Sequence, residues 1–150
     1  EKVEIAKNYG CDEVINNSKE DIAKKVLELK NGKGVSVVYD GVGKTTYDKS
    51  IECLKLRGTM VSFGNASGPL DPIIVSKSLQ PKGIYFVRPA MNQYFTNSEE
   101  IKEAADMLFK QISSGNVKIE IYKKYKLEDA VQAHKDLEGR KITGPAVIIP

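Results

Sequence analysis

Two short stretches carry the residue types best suited to holding a ligand. Asp40-Gly41-Val42-Gly43 and Ser62-Phe63-Gly64-Asn65-Ala66-Ser67-Gly68 each follow an apolar run that reads as a strand. Glycine lacks a Cβ and tolerates positive φ, so a strand followed by Gly-x-Gly lets backbone come close to a bound molecule. The first stretch is a fragment of a dinucleotide-binding fingerprint. Thr46 stands where a third glycine would fall, and the turn follows the chain's second expected strand and not its first. It reads either as a phosphate-binding turn or as a tight strand-to-helix turn that Asp40 could cap. The second stretch offers space, several N–H groups, and Ser and Asn side chains, with Phe63 as a wall for a planar ring. It reads as a ligand-lining loop or as a plain loop.

Other reactive groups are sparse. Lys2 falls in the first turn of an expected helix, where the macrodipole disfavours a cation and a bound anion would repair the mismatch; a solvated lysine is the plainer reading. The single histidine, His134, sits among Ala130, Val131 and Leu137 and reads as a partly buried helix residue. Cys11 and Cys53 occupy ordinary helix-end and helix positions. One histidine and two cysteines leave no Ser-His-Asp or Cys-His constellation, no disulfide framework and no Cys/His zinc site. No catalytic residue is assigned. The chemistry points to binding and not to a self-contained reaction centre.

These residues sit on alternating helical and strand patterns. Helical spacing covers residues 1–9, a stripe at Ile22, Val26 and Leu29 with Ser18 as the N-cap, a helix through Tyr47, Ile51 and Leu54, one from Ser98 as cap to Ile112, and Leu127 to Glu138. Strand patterns cover Glu13–Asn16, Val35–Tyr39, Thr59–Phe63, Gly83–Val87, Val117–Tyr122 and Ala146–Ile149. The unbroken apolar run at Val35–Tyr39 suits a strand buried on both faces. Strands alternating with helices imply an α/β fold with a mostly parallel sheet, whose binding crevice lies beyond the carboxyl ends of its strands. Asn16-Asn17-Ser18 and the two glycine stretches fall there.

The chain has 150 residues, 41% hydrophobic and 29% charged, an ordinary globular balance. A net charge of +3 is too small to imply a nucleic-acid partner. No apolar run is long enough to span a bilayer, and Glu1-Lys2-Val3-Glu4 does not read as a signal peptide. The lack of an initiator Met suggests a piece of a longer protein.

Several strings together are recognisable: Asn31-Gly32-Lys33-Gly34-Val35, Val38-Tyr39-Asp40-Gly41-Val42-Gly43-Lys44, Leu56-Arg57-Gly58, Val61 through Gly68, Val87-Arg88-Pro89, and Tyr125-Lys126-Leu127-Glu128-Asp129-Ala130 with Ala133-His134 and Leu137-Glu138. Through them the chain resembles the zinc-independent NADPH:quinone oxidoreductases of the medium-chain dehydrogenase/reductase superfamily. The resemblance runs over essentially the whole chain and implies the C-terminal part of such an enzyme. It implies a partial Rossmann domain, strands 3 to 6, with segments of about 117–150 returning to a catalytic domain. It implies NADPH as cofactor, a quinone or related small molecule as substrate, a cytoplasmic location, no metal, and a homodimer through the sixth-strand edge.

Position by position, the resemblance places Lys2 beside the 2′-phosphate of NADPH. Asn17 stands where many members have a phosphate-contacting Tyr. Val42 and Gly43 match the turn after the fourth strand, and Phe63, Gly64 and Ser67 the loop near the nicotinamide. Arg88 matches the end of the sixth strand. The competing reading is a non-catalytic remnant that folds, oligomerises or binds a nucleotide weakly. A parental strand order of 3-2-1-4-5-6 without strands 1 and 2 leads to the expectation that strand 3 closes against strand 4, with one sheet face poorly covered.

Overall fold

The computed structural model describes residues 2–150, in two compact units, Val3–Tyr94 and Phe95–Pro150. The first unit holds a parallel three-stranded sheet in the order β1-β2-β3: β1 is Val35–Asp40, β2 is Leu54–Ser62 and β3 is Tyr85–Val87. Val38, Tyr39 and Asp40 pair with Met60, Val61 and Ser62, and Thr59, Met60 and Val61 pair with Tyr85, Phe86 and Val87. Parallel neighbours need a crossover, and here helices supply it. The connections run through α3 (Tyr47–Cys53) and then α4 (Val75–Ser78) with a 3-10 turn at Gln80–Lys82. α1 (Lys2–Asn8) and α2 (Ile22–Leu29) precede the sheet, and α5 (Met91–Tyr94) follows it.

The core of this unit is Leu54, Met60 and Ile84, with Val35, Val38, Tyr47, Ile51, Leu79 and Phe86 packed against it. Tyr47 meets Phe86 edge to face, ring centroids 6.3 Å apart. Because side chains alternate along a strand, Val38, Met60 and Phe86 share the covered face. The other face is open, with Tyr39 73% and Tyr85 65% exposed and Val37 and Val87 beside them. The expectation of a strand buried on both faces is therefore corrected for β1: its apolar run is built for two covers and has one.

The second unit holds α6 (Ser98–Ser113), β4 (Lys123–Lys126), a 3-10 turn at Leu127–Asp129, α7 (Ala130–Glu138) and β5 (Ala146–Ile149). β4 and β5 form a parallel pair, Lys123 opposite Ala146. Tyr125 and Ala133 are buried in it. Tyr125 donates its hydroxyl to Asp136 at 2.9 Å, and Gln132 donates to the other carboxylate oxygen at 2.9 Å.

Several expected boundaries shift for local reasons. Residues 13–16 form no strand and do not close against β1, whose one ladder partner among the described strands is β2. Without a neighbour the apolar pair Val14-Ile15 has no ladder to join. The strand expected at 117–122 begins at Lys123, where the register with Ala146 starts. The cap of α2 is Asp21 and not Ser18: the Asp21 carboxylate accepts from Lys24 N–H at 2.9 Å. Asn97 caps α6 one residue ahead of Ser98 and accepts from the N–H groups of Glu99 and Glu100.

Candidate functional site: the carboxyl edge of the parallel sheet

In a parallel sheet all strands end on one side, so the segments after β1, β2 and β3 share an edge. Val42 and Gly43 follow β1, Phe63, Gly64 and Ser67 follow β2, and Arg88 follows β3. Six of the eight expected site residues are thus brought to one edge.

The first two segments continue the strand ladder as loops. The Asp40 carbonyl accepts from the N–H groups of Phe63 (2.9 Å) and Gly64 (3.3 Å). Gly41 accepts from Ala66 N–H at 3.3 Å and Val42 from Ser67 N–H at 2.8 Å. The Ser67 hydroxyl also donates to the Val42 carbonyl, at 2.8 Å, and accepts from Thr45 N–H at 3.0 Å. Glycine is required where the two loops touch. A Cβ on Gly64 would collide with the Gly41 carbonyl, and one on Gly41 would meet the Phe63 ring at 2.9 Å. Gly43 needs it twice, for φ +90° and for the Gly68 carbonyl 2.9 Å from where a Cβ would stand.

Asp40 is 5% exposed, and its carboxylate accepts four groups. Val42 N–H lies at 2.8 Å, Gly43 N–H at 3.0 Å, Thr46 Oγ1 at 2.8 Å and Ser50 Oγ at 2.7 Å. Burial pushes this carboxyl upward, but the bonds from Gly43, Ser50, Thr46 and Val42 outweigh it and hold it below the ordinary carboxylate value. The expected capping role of Asp40 is met. The phosphate-binding reading of the Gly41-Val42-Gly43 turn loses its donors, because those N–H groups face the protein's own carboxylate. Thr46, noted only as a missing glycine, turns out to be a partner of that carboxylate. Ser50, ten residues from Asp40, gave no sequence signal beyond lying one helical turn beyond Thr46.

What the edge presents outward is apolar and planar. Phe63 is 54% and Val42 40% exposed. Arg88 donates to the Ser62 carbonyl at 2.8 Å, which ties the end of β3 to the end of β2. An exposed apolar ring and a guanidinium on the same sheet edge suit an aromatic ligand carrying negative charge. Ser67 is engaged between the loops. Asn17 lines a separate cavity of about 290 Å³ with Asp21, Thr45, Thr46 and Lys49. Lys49 there is paired with Asp21 at 3.1 Å and Glu52 at 3.0 Å. Lys2 opens α1, is exposed, and takes no part in the bonds that build this edge.

His134 is exposed and not partly buried as expected; it stands at the rim of an apolar cavity with Tyr125, Leu137 and Ile148. Among the described residues no group of three or more His, Cys, Asp or Glu side chains could hold a metal ion. None of their helices is long and apolar enough to cross a membrane.

Comparison with known proteins gives consistent matches. A family model described as zinc-binding dehydrogenase matches residues 9–148. A quinone oxidoreductase of Pseudomonas aeruginosa is 41% identical over all of this chain and 46% of its own length. A 2-haloacrylate reductase of a Burkholderia species is 42% identical, with all of this chain and 45% of the relative covered. Among solved structures, Escherichia coli quinone oxidoreductase complexed with NADPH superposes with a TM-score of 0.93 at 40% identity, over 99% of this chain and 46% of that one. The chain spans about half the length of the curated relatives it matches.

Proposed function

The chain belongs to the zinc-binding dehydrogenase family, and from that premise we propose that it is the NADPH-binding, C-terminal portion of a quinone oxidoreductase. The observation that carries the reading is the shared edge: Val42, Phe63 and Arg88 stand at the ends of three adjacent parallel strands, on loops hydrogen-bonded to each other. The similarity to a reductase structure complexed with NADPH supports the choice of cofactor. The family description names zinc, but the described residues offer no donor set for it.

When bound, NADPH supplies the hydride that reduces a quinone. This chain's part is to bind and orient. Phe63 and Val42 offer apolar faces to the planar parts of the dinucleotide and keep water from them. Arg88 holds a positive charge at the same edge. Asn17 and Lys2 are proposed at the adenosine end, Lys2 for the 2′-phosphate. The free side of β3, paired among the described strands with β2 alone, is the proposed homodimer edge, and segments within 117–150 are proposed to pack with the catalytic part of the longer protein.

Isothermal titration of the chain with NADPH, paired with a quinone-dependent NADPH oxidation assay, tests this. Binding without turnover is expected, because the edge carries no general acid or base. Absence of any binding would favour the second reading, a non-catalytic module, which the internally satisfied glycine turn supports. The similarity to a 2-haloacrylate reductase makes an activated alkene the alternative substrate class.

A further inference from the structure

A glycine turn that cradles a phosphate leaves successive N–H groups for the ligand. In this chain the run from Val42 to Tyr47 leaves none. Val42 and Gly43 donate to Asp40 Oδ1 at 2.8 and 3.0 Å. Lys44 donates to the Gly68 carbonyl at 3.4 Å and Thr45 to Ser67 Oγ at 3.0 Å. Thr46 and Tyr47 both donate to the Gly43 carbonyl at 3.0 Å.

We propose that Asp40 is the positioning residue of the cofactor edge, its carboxylate filling from inside the amide cup that a phosphate fills from outside in other glycine turns. The proposal rests on the NADPH reading and deepens it. A carboxylate has about four lone-pair sites, and the four donors named above account for them. Two come from the turn itself and two, Thr46 and Ser50, from the start of α3 and its first turn, so the carboxylate fixes the turn to the helix behind it. The backbone carbonyl of the same residue accepts from Phe63 and Gly64. One residue therefore sets the height of Val42 with its side chain and the height of Phe63 with its main chain. These are the two apolar faces assigned to the dinucleotide. With the amides engaged, the turn holds its shape before any ligand arrives, which lowers the ordering cost of binding. It also directs the ligand to van der Waals contact with Val42 and away from an anion contact at the turn.

Amide hydrogen exchange without nucleotide, then NADPH titration, tests this in the 150-residue chain. Asp40→Ala is expected to speed exchange at Val42 and Gly43 at least 10-fold, with exchange around Met60 and Phe86 in the same unit unchanged as the sign that the sheet stays folded. It is expected to weaken NADPH at least 10-fold. Asp40→Asn, whose amide oxygen can still accept from both N–H groups, is expected to recover most of both losses. Should Asp40→Ala fail to fold, Asp40→Asn and Thr46→Val carry the test, each with a smaller rise in exchange and a few-fold loss of affinity. Unchanged exchange at Val42 and Gly43 would overturn the internal-anion role. Faster exchange with unchanged NADPH affinity would overturn the positioning role and leave Asp40 a turn former. Wild-type chain that binds no NADPH would overturn the cofactor reading and the positioning role together, while the exchange result still decides the internal-anion role.

Discussion

Ser67 gives both of its donors to one acceptor: its N–H and its hydroxyl each reach the Val42 carbonyl at 2.8 Å. The hydroxyl oxygen then accepts from Thr45 N–H at 3.0 Å. A single side chain thus staples the loop after β2 onto the turn after β1. Ser67→Ala keeps the N–H bond but loses the other two and leaves the Thr45 N–H without its partner. A loss of about 1 kcal/mol is expected, read as a lower urea midpoint with unchanged slope.

Gly64→Ala is expected to cost more. The added methyl group would press on the Gly41 carbonyl, a backbone atom that moves only if the turn moves. Overpacking of this kind costs about 1–3 kcal/mol. Gly144→Ala is the control, since its Cβ would find ordinary contact with Tyr122 at 3.4 Å. Thermal melts of the two variants should separate by several degrees, with the first lower.

Lys82 caps α3 from outside the helix. Its ammonium donates to the carbonyls of Ile51 (3.2 Å), Glu52 (2.8 Å) and Leu54 (2.7 Å). A cation at a helix C-terminus satisfies the orphan carbonyls and the macrodipole at once. Lys82→Met keeps most of the apolar stem and removes the charge, so a loss of about 1–2 kcal/mol is expected in chemical denaturation. An equal stability of the two proteins would refute the capping role.

Acid should weaken both units by the same rule. Asp40 is held below the ordinary carboxylate value of 3.8 by the hydrogen bonds that outweigh its burial. Asp136 is held below it by the bonds from Tyr125 and Gln132, with Lys141 and Lys123 adding to them. A depressed folded pKa contributes stability that is complete above the unfolded value and is lost as the pH falls through the folded one. Denaturation midpoints should therefore be flat with respect to these two groups from neutral pH down to about pH 5, and fall below about pH 4. Asp40→Asn and Asp136→Asn should each flatten part of that fall.

Lys2→Ala should weaken NADPH more than NADH if Lys2 meets the 2′-phosphate. Loss of one charge-assisted hydrogen bond corresponds to roughly 10-fold in affinity. Parallel titrations with the two nucleotides read the difference. Equal loss for both would remove Lys2 from the phosphate contact.

Much of this was legible in the residues. The apolar runs at Val35–Tyr39 and Thr59–Phe63, each followed by glycines, gave the two strands and the loops that meet beyond them. Asp40 at a strand end gave the cap. What escaped was long-range: Ser50 joins Asp40 from the next helix, and Lys82 reaches α3 from 28 to 31 residues away. Neither residue type in its own neighbourhood announces such a partner. The pattern at Glu13–Asn16 misled for a related reason. A short apolar pair between turns marks a segment fit for a sheet, while pairing requires a neighbour, and β1 pairs with β2 alone among the described strands.

The open face of the three-stranded sheet has an optical consequence. The chain contains seven tyrosines and no tryptophan, so its near-ultraviolet emission belongs to tyrosine alone. Tyr39 and Tyr85 stand on that face, on the two outer strands, largely in solvent. Anything that settles against the sheet must change their surroundings, and hence their emission and their accessibility to a soluble quencher. The molecule carries an unlabelled gauge of whether that side is covered.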